Sequence, residues 1–156
     1  MTRTSPIIKI CGLRTAESLA AALDAGADMV GFVFFGPSPR NISLSEAAAL
    51  APLVKGRARK VALTVDADDA LIDAVARALQ PDILQLHGRE TPARAAQLAA
   101  RTGKKIMKAI GVSERADLAA VADYSAVCDW LLLDAKPPKD ATRPGGNGES
   151  FDWAII

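Results

Sequence analysis

The sequence has few aromatic residues, no excess of charge and no long apolar run. Phe, Trp and Tyr make up 4% of its 156 residues, which is too few for a surface that stacks nucleic-acid bases. Lys and Arg number 19 against 18 Asp and Glu, so no basic surface for nucleic acid or an anionic membrane is expected. No apolar run reaches the roughly 18 residues that span a bilayer. We therefore predict neither nucleic acid nor a membrane as a partner.

Cysteine and histidine are also scarce. The chain has two cysteines, Cys11 and Cys128, and one histidine, His87. Its start lacks the charge and the long apolar run of a secretory signal, so we predict free thiols and a cytoplasmic protein. A lone histidine without clustered carboxylates is a weak basis for a zinc site, and we predict no metal.

Short β-rich runs alternate with Ala-rich helical runs along the chain. The alternation repeats about every 25 residues, which predicts a parallel sheet with helical crossovers. Most helices are expected to begin after a cap residue, and a further helix is expected to begin near the C-terminal end of the chain. The predicted strands are 7–11, 29–34, 60–65, 83–87, 105–110 and 130–135. The predicted caps are Thr15, Ser43 or Ser45, Asp68 and Thr91, residues 113–124 are predicted to be helical, and 151–156 is predicted to start a sixth helix.

Two architectures of the α/β class fit this alternation, an open doubly wound sheet and a (β/α) barrel. No G-x-G-x-x-G sequence follows the first strand, so a dinucleotide-binding open sheet has no local support. A closed barrel has eight strands and more than about 200 residues. Residues 1–156 are therefore expected to form one domain, which is either an open sheet or a barrel that lacks about a quarter of its wall.

Three predicted strands end in a reactive side chain. Cys11 ends the first, His87 the fourth and Asp134 the sixth. The carboxyl ends of barrel strands form the active-site face, so these side chains are expected to share a pocket.

Each of these residues has a structural alternative when it is taken alone. Cys11 is a base or nucleophile, or a buried structural cysteine. Asp134 is a general acid or base, or else a helix cap or an ion-pair partner, perhaps of Lys136. His87 titrates near neutrality or is a hydrogen-bonded structural residue. Arg40, in a Ser-Pro-Arg loop, binds a carboxylate with two hydrogen bonds or is solvated.

The glycine-rich stretch 145–148 is a weaker signal. It is a lid, a phosphate-contacting loop or a mobile surface loop. Lys136 and Lys139, which precede it, are expected to be solvated.

Several segments together resemble the phosphoribosylanthranilate isomerase family of tryptophan biosynthesis. Their order and spacing match the family over essentially the whole chain. The segments are Lys9-Ile10-Cys11-Gly12, Gly31-Phe32-Val33-Phe34 with Ser38-Pro39-Arg40, Gln85-Leu86-His87-Gly88, Leu132-Leu133-Asp134, and Gly145-Gly146-Asn147-Gly148 leading into Phe151-Asp152-Trp153.

The resemblance implies a (β/α)8 barrel, of which about six units are present. It also implies an Amadori rearrangement of N-(5'-phosphoribosyl)anthranilate to 1-(o-carboxyphenylamino)-1-deoxyribulose 5-phosphate without a cofactor. The sequence leaves open whether the protein is a monomer or a homodimer. Asp134 would be the general acid that protonates the furanose ring oxygen, and Cys11 the general base at ribose carbon 2. Arg40 would hold the anthranilate carboxylate, and His87 would be a further substrate-binding residue. Since thiols are mostly protonated at neutral pH, Lys9 on the strand face of Cys11 is a candidate to favour the thiolate.

The sequence departs from the family at its C-terminal end. Family members continue with two further strands and glycine-rich turns that bind the ribose phosphate, and nothing after Ile156 corresponds to them. We expect that the sequence lacks the C-terminal part of the barrel, and we assign no phosphate-binding residue.

Two alternatives stay open at the level of sequence. One is a related phosphosugar barrel such as indole-3-glycerol-phosphate synthase, with Lys108 as the acid. The other is an inactive open α/β module that binds a partner through its free sheet edges.

Overall fold

The computed structural model describes residues 5–137, 140–141 and 145–156. Its six strands are all parallel, and each is hydrogen-bonded to the next one in the sequence. A doubly wound sheet reverses its strand order at a switch point, whereas this order is that of a barrel wall. The strands are β1 (Lys9–Cys11), β2 (Met29–Phe34), β3 (Arg59–Thr64), β4 (Ile83–Leu86), β5 (Lys105–Val112) and β6 (Trp130–Ala135).

The helices lie between the strands, as the alternation predicts. The N-caps of the first four are Thr15, Ser43, Asp68 and Thr91, whose side chains accept a backbone N–H of the first turn. None of the helices in the described residues has the length and apolarity needed to cross a membrane. The helices are α1 (Ala16–Asp24), α2 (Leu44–Leu50), α3 (Asp69–Leu79), α4 (Pro92–Thr102) and α5 (Ala120–Ser125).

Three segments that were predicted as helix contain 3-10 turns. The second helix continues as a 3-10 turn over Ala51–Val54, and α5 is preceded by one over Arg115–Ala119. The carboxylate of Asp117 accepts the backbone N–H groups of Ser113 and Glu114 and so caps the start of the second of these turns. Only a 3-10 turn, Trp153–Ile155, lies where a sixth helix was predicted to start.

Because side chains alternate along each strand, the sheet has one apolar cluster on each of its two faces. Outward residues such as Val30, Phe32 and Ile106 pack under the helices in the larger cluster. Inward residues form a smaller cluster of Met29, Val61, Ile83 and Met107, with Trp130 and Leu132 against it. The inward face above this cluster, towards the strands' carboxyl ends, is left for polar side chains.

A repeated aspartate ties the amino-terminal ends of the strands together. Asp28, Asp82 and Asp129 each precede an even-numbered strand, and each accepts a backbone N–H from the start of the preceding odd-numbered one. The donors are Ile8 at 2.8 Å, Lys60 at 2.7 Å and Ile106 at 2.9 Å. These bonds link neighbouring strands at the end of the sheet opposite their carboxyl ends.

Candidate active site

A cavity of about 230 Å3 opens at the carboxyl ends of the strands. Cys11, Arg40, His87 and Asp134 all line it, so the structure brings together every site residue predicted from the sequence. A larger cavity, of about 470 Å3, lies near the opposite ends of the strands and is lined by none of them. The smaller cavity is therefore the candidate active site.

Two glycines leave room for the functional side chains of this site. Gly31 pairs with Cys11 between β1 and β2, and a Cβ at Gly31 would lie 2.9 Å from the Cys11 Sγ. Gly12 has a φ of +85°, and a Cβ there would lie 2.5 Å from the Cδ of Arg40. The space for the thiol and for the arginine stem thus depends on missing side chains.

His87 and Asp134 form a hydrogen-bonded pair across the cavity. The His87 Nε2 lies 3.2 Å from the Asp134 Oδ2, and their side chains are 14% and 32% exposed. The backbone N–H of His87 donates to the carbonyl oxygen of Thr64 at 2.9 Å. A partly exposed carboxyl group held by a histidine is placed to exchange a proton with a ligand in the cavity.

Asp134 does not pair with Lys136, which was one alternative for it. The Lys136 ammonium instead donates to Asp117, and since its side chain is 46% exposed, Lys136 is solvated as expected but is also ion-paired. That hydrogen bond, together with those from the backbone N–H groups of Ser113 and Glu114, holds the pKa of Asp117 well below its usual range. Side chains two residues apart share a face within a strand, but Lys136 lies beyond the last residue of β6.

The start of the glycine-rich stretch lies against the site. A Cβ on Gly145 would come within 2.6 Å of the His87 Cε1, and one on Gly146 would overlap the guanidinium of Arg40. Both glycines line the cavity. Residues 142–144 and Lys139 lie outside the described residues.

Gln85 is a polar residue of the site to which sequence reasoning gave no role. Its side chain lines the cavity two residues before His87, and the residue is 1% exposed. Its amide oxygen has no hydrogen-bond partner within the described part of the chain. Buried polar atoms are normally paired, so the amide oxygen of Gln85 is an exception at the cavity wall. The available signal was an amide in an otherwise apolar strand.

Lys108 does not reach the cavity. It is 3% exposed and lies on the opposite, helix-facing side of β5, where its ammonium pairs with Glu90 at 3.1 Å. The alternative that used Lys108 as the catalytic acid is therefore wrong, because its acid faces away from the site.

The two cysteines are both free and have different surroundings. Cys11 lines the cavity, whereas Cys128 packs against the larger apolar cluster. Burial raises the pKa of the Cys128 thiol. Of the two thiols, only Cys11 is placed to react with a bound molecule.

Comparison with known proteins agrees with this geometry. A family model described as N-(5'phosphoribosyl)anthranilate (PRA) isomerase matches residues 8–156. The chain belongs to the PRA isomerase family. An N-(5'-phosphoribosyl)anthranilate isomerase from Bradyrhizobium sp. (strain ORS 278) is 59% identical over 152 residues, which are 97% of this chain and 69% of that relative.

Solved PRA isomerases share the fold. The crystal structure of the isomerase from Thermotoga maritima superposes with a TM-score of 0.84 at 33% identity, over 97% of this chain and 70% of that one. A PRA isomerase crystallised with reduced 1-(o-carboxyphenylamino)-1-deoxyribulose 5-phosphate gives a TM-score of 0.77 at 31% identity, over 84% of this chain and 66% of that one. The six strands thus correspond to part of a TIM-barrel wall, as the resemblance predicted.

Proposed function

We propose that this chain performs the PRA isomerase reaction with Asp134 as general acid and Cys11 as general base. The observation that carries the proposal is the meeting of these two side chains with Arg40 in one cavity of a PRA isomerase family member. The product-like ligand of the relative's crystal structure carries a carboxylate, an amine and a sugar phosphate, and the first of these matches a guanidinium at the cavity.

The reaction begins at the furanose ring oxygen of the substrate. Asp134 donates a proton to that oxygen, and the ring opens to a protonated Schiff base between the sugar and the anthranilate nitrogen. The positive nitrogen withdraws electrons, so the C–H proton at ribose carbon 2 becomes acidic. The Cys11 thiolate removes this proton, and the resulting enolamine tautomerises to the ketose.

The neighbouring side chains support these two steps. Lys9 lines the cavity two residues before Cys11 on the same strand face and places a positive charge in the same site. His87 holds the carboxyl group of Asp134 through its hydrogen bond. Arg40 binds the anthranilate carboxylate, and the unpaired amide oxygen of Gln85 accepts a hydrogen bond from a substrate hydroxyl.

We propose no cofactor for this reaction. The described residues contain no group of three His, Cys, Asp or Glu side chains that could hold a metal ion. Assembly as a monomer or homodimer and a location in the cytoplasm stay predictions.

Turnover of PRA is the direct test. It is measured with the 156-residue chain and with a fusion of this chain to the part of the Bradyrhizobium relative that lies beyond the match. Failure of both to turn over PRA would overturn the proposal. A folded, self-associating chain without turnover in either form would instead favour a module that binds a partner.

The assignment of acid and base is tested in whichever form is active. We expect Cys11→Ala and Asp134→Asn each to lower kcat at least about 100-fold, since general acid–base groups contribute about 10²–10⁴-fold. Cys128→Ala removes the thiol outside the cavity and is the matched control. Unchanged turnover in Cys11→Ala or in Asp134→Asn would reject the corresponding role.

A further inference from the structure

An ion pair is buried behind the candidate active site, on the helix-facing side of the sheet. It joins Lys108 of β5 to Glu90, which lies in the loop between β4 and α4, with 3.1 Å between the Nζ and Oε2 atoms. The two residues are 3% and 6% exposed. A buried ion pair is often no more stabilising than apolar residues of similar volume. Stability alone is therefore a weak reason for this pair.

The Lys108 ammonium binds the backbone on both sides of His87. Its Nζ donates to the carbonyl oxygen of Gly88 at 2.7 Å and lies 3.3 Å from that of Leu86. With Glu90, these oxygens give the ammonium three acceptors, which is its full capacity.

The Glu90 carboxylate fixes the same turn from its other side. Its Oε2 accepts the backbone N–H of Gly88 at 2.9 Å, and its Oε1 accepts that of Asp66, at the end of the neighbouring strand, at 2.8 Å. Asp66 in turn accepts the backbone N–H of Arg89 at 2.6 Å. A Cβ on Gly88 would lie 2.5 Å from the Asp66 Oδ1, so this packing requires glycine.

Tyr124 of α5 covers the pair. Its hydroxyl donates to the carbonyl oxygen of Glu90 at 2.7 Å, and its ring centroid lies 5.7 Å from the Lys108 Nζ. The cover keeps water away from the charges, which strengthens their interactions with the backbone dipoles.

We propose that Lys108 and Glu90 are positioning residues that orient His87 towards Asp134, an inference that rests on the proposed function. The backbone of His87 is held at its own N–H and at both neighbouring carbonyls, while its imidazole projects to the opposite face and meets Asp134 at 3.2 Å. Loss of the ion pair would loosen this turn and move the imidazole. The general acid would then lose its orientation without any change in the groups that line the cavity.

The first readout is spectroscopic and does not need turnover. His87 is the only histidine of the chain, so an untagged protein gives one set of imidazole NMR signals. We expect Glu90→Gln, which keeps the shape of the side chain and removes its charge, to shift these signals. The control is Arg101→Met, which removes a surface ion pair with Asp73 (2.6 Å) and should leave the imidazole signals unchanged. Unshifted signals in a folded Glu90→Gln variant would overturn the proposal.

The second readout is kinetic, in the form of the protein that turns over PRA. We expect the Lys108→Met/Glu90→Gln double variant to lower kcat about tenfold, because a misplacement of about 1 Å caused by a distant change can cost up to about 100-fold in rate. KM should stay within about twofold, since neither residue lines the cavity. Should this double variant not fold, Glu90→Gln alone is measured, with a smaller expected loss of kcat. A parent-like kcat in the folded variant overturns the proposal.

A His87→Asn background separates positioning from a general loss of structure. If the ion pair acts through His87, its removal in this background should lower kcat no further, whereas two independent losses would multiply and contradict the inference. A parent protein without turnover would count against the proposed function, while the imidazole signals would still test the ion pair.

Discussion

Gly31→Ala tests Cys11 without touching its chemistry. Gly31 lies in a fully buried strand and is the register partner of Cys11. An added Cβ would lie 2.9 Å from the Cys11 Sγ and 3.2 Å from its Cα, whereas ordinary contacts are 3.4–4 Å. Because one of the obstructing atoms belongs to the backbone, rotation of the thiol alone cannot relieve the overlap. The two strands must separate, or Cys11 must move, by about 0.5–1 Å.

This displacement sets the size of the expected effect. A misplacement of about 1 Å can cost about 100-fold in rate, so we expect kcat to fall about 10- to 100-fold. Overpacking of a core costs about 1–3 kcal/mol, and the smaller freedom of alanine in the unfolded chain offsets about 0.4–1 kcal/mol. The free energy of unfolding should therefore fall by no more than about 2.5 kcal/mol.

The assay compares kcat, KM and the thermal unfolding midpoint of Gly31→Ala with those of Gly36→Ala. Gly36 follows the same strand, and a Cβ there would meet nothing within 4 Å. The control should therefore keep the parent's kinetics and stability. A folded Gly31→Ala variant with the parent's kcat would show that the position of the Cys11 sulfur is unimportant, and would refute its role as the base.

Three further predictions follow from the surroundings of single groups. Iodoacetamide should label Cys11 before Cys128 and abolish turnover, because burial raises the pKa of the Cys128 thiol; peptide mapping that shows equal rates would contradict this. Gln85→Leu should raise KM severalfold without loss of thermal stability, since it removes an unpaired buried oxygen; an unchanged KM would argue against a substrate contact. The lowered pKa of Asp117 stabilises the fold above the unfolded-state value of about 3.9 and stops doing so as the pH falls through the folded-state value. Asp117→Asn should thus lower the unfolding midpoint at pH 7 and weaken its fall in acid, and a parent-like pH profile would refute the link with Lys136.

Local chemistry explains which elements could be predicted from the sequence. Strands 29–34 and 130–135 and the caps Thr15, Asp68 and Thr91 are confirmed to the residue, because apolar runs and cap side chains act over a few positions. The first strand is shorter than the predicted 7–11 and covers only Lys9–Cys11. Ile8 is half-exposed, and its N–H binds the side chain of Asp28 rather than a neighbouring strand. That hydrogen bond joins residues 20 positions apart in the sequence, so no local sequence pattern predicts it.

The candidate site was predictable because of where its residues stand in their strands. Cys11, His87 and Asp134 each end an apolar run, and parallel strands bring such ends together. The direction of Lys108 was not predictable in the same way. Both Ile106 and Met107 before it are apolar and buried, one in each cluster, since a barrel strand is covered on both faces. Alternation of apolar and polar residues therefore could not tell which face Lys108 occupies.

The same burial on both faces places a charge outside the cavity next to the backbone of a residue that lines it. At the end of β4, the carbonyl groups of Leu86 and Gly88 point towards the Lys108 ammonium, while the imidazole of the residue between them points into the cavity. A single residue, His87, thus connects the two faces through its own backbone, with no chain of side chains in between. The Leu86 carbonyl and the His87 N–H belong to one planar peptide group, and both are hydrogen-bonded, so a shift of this group would turn the His87 side chain. If Lys108 and Glu90 act as proposed, the residues that set the rate of this isomerase include groups on the helix-facing side of the strand ends as well as those that line its cavity.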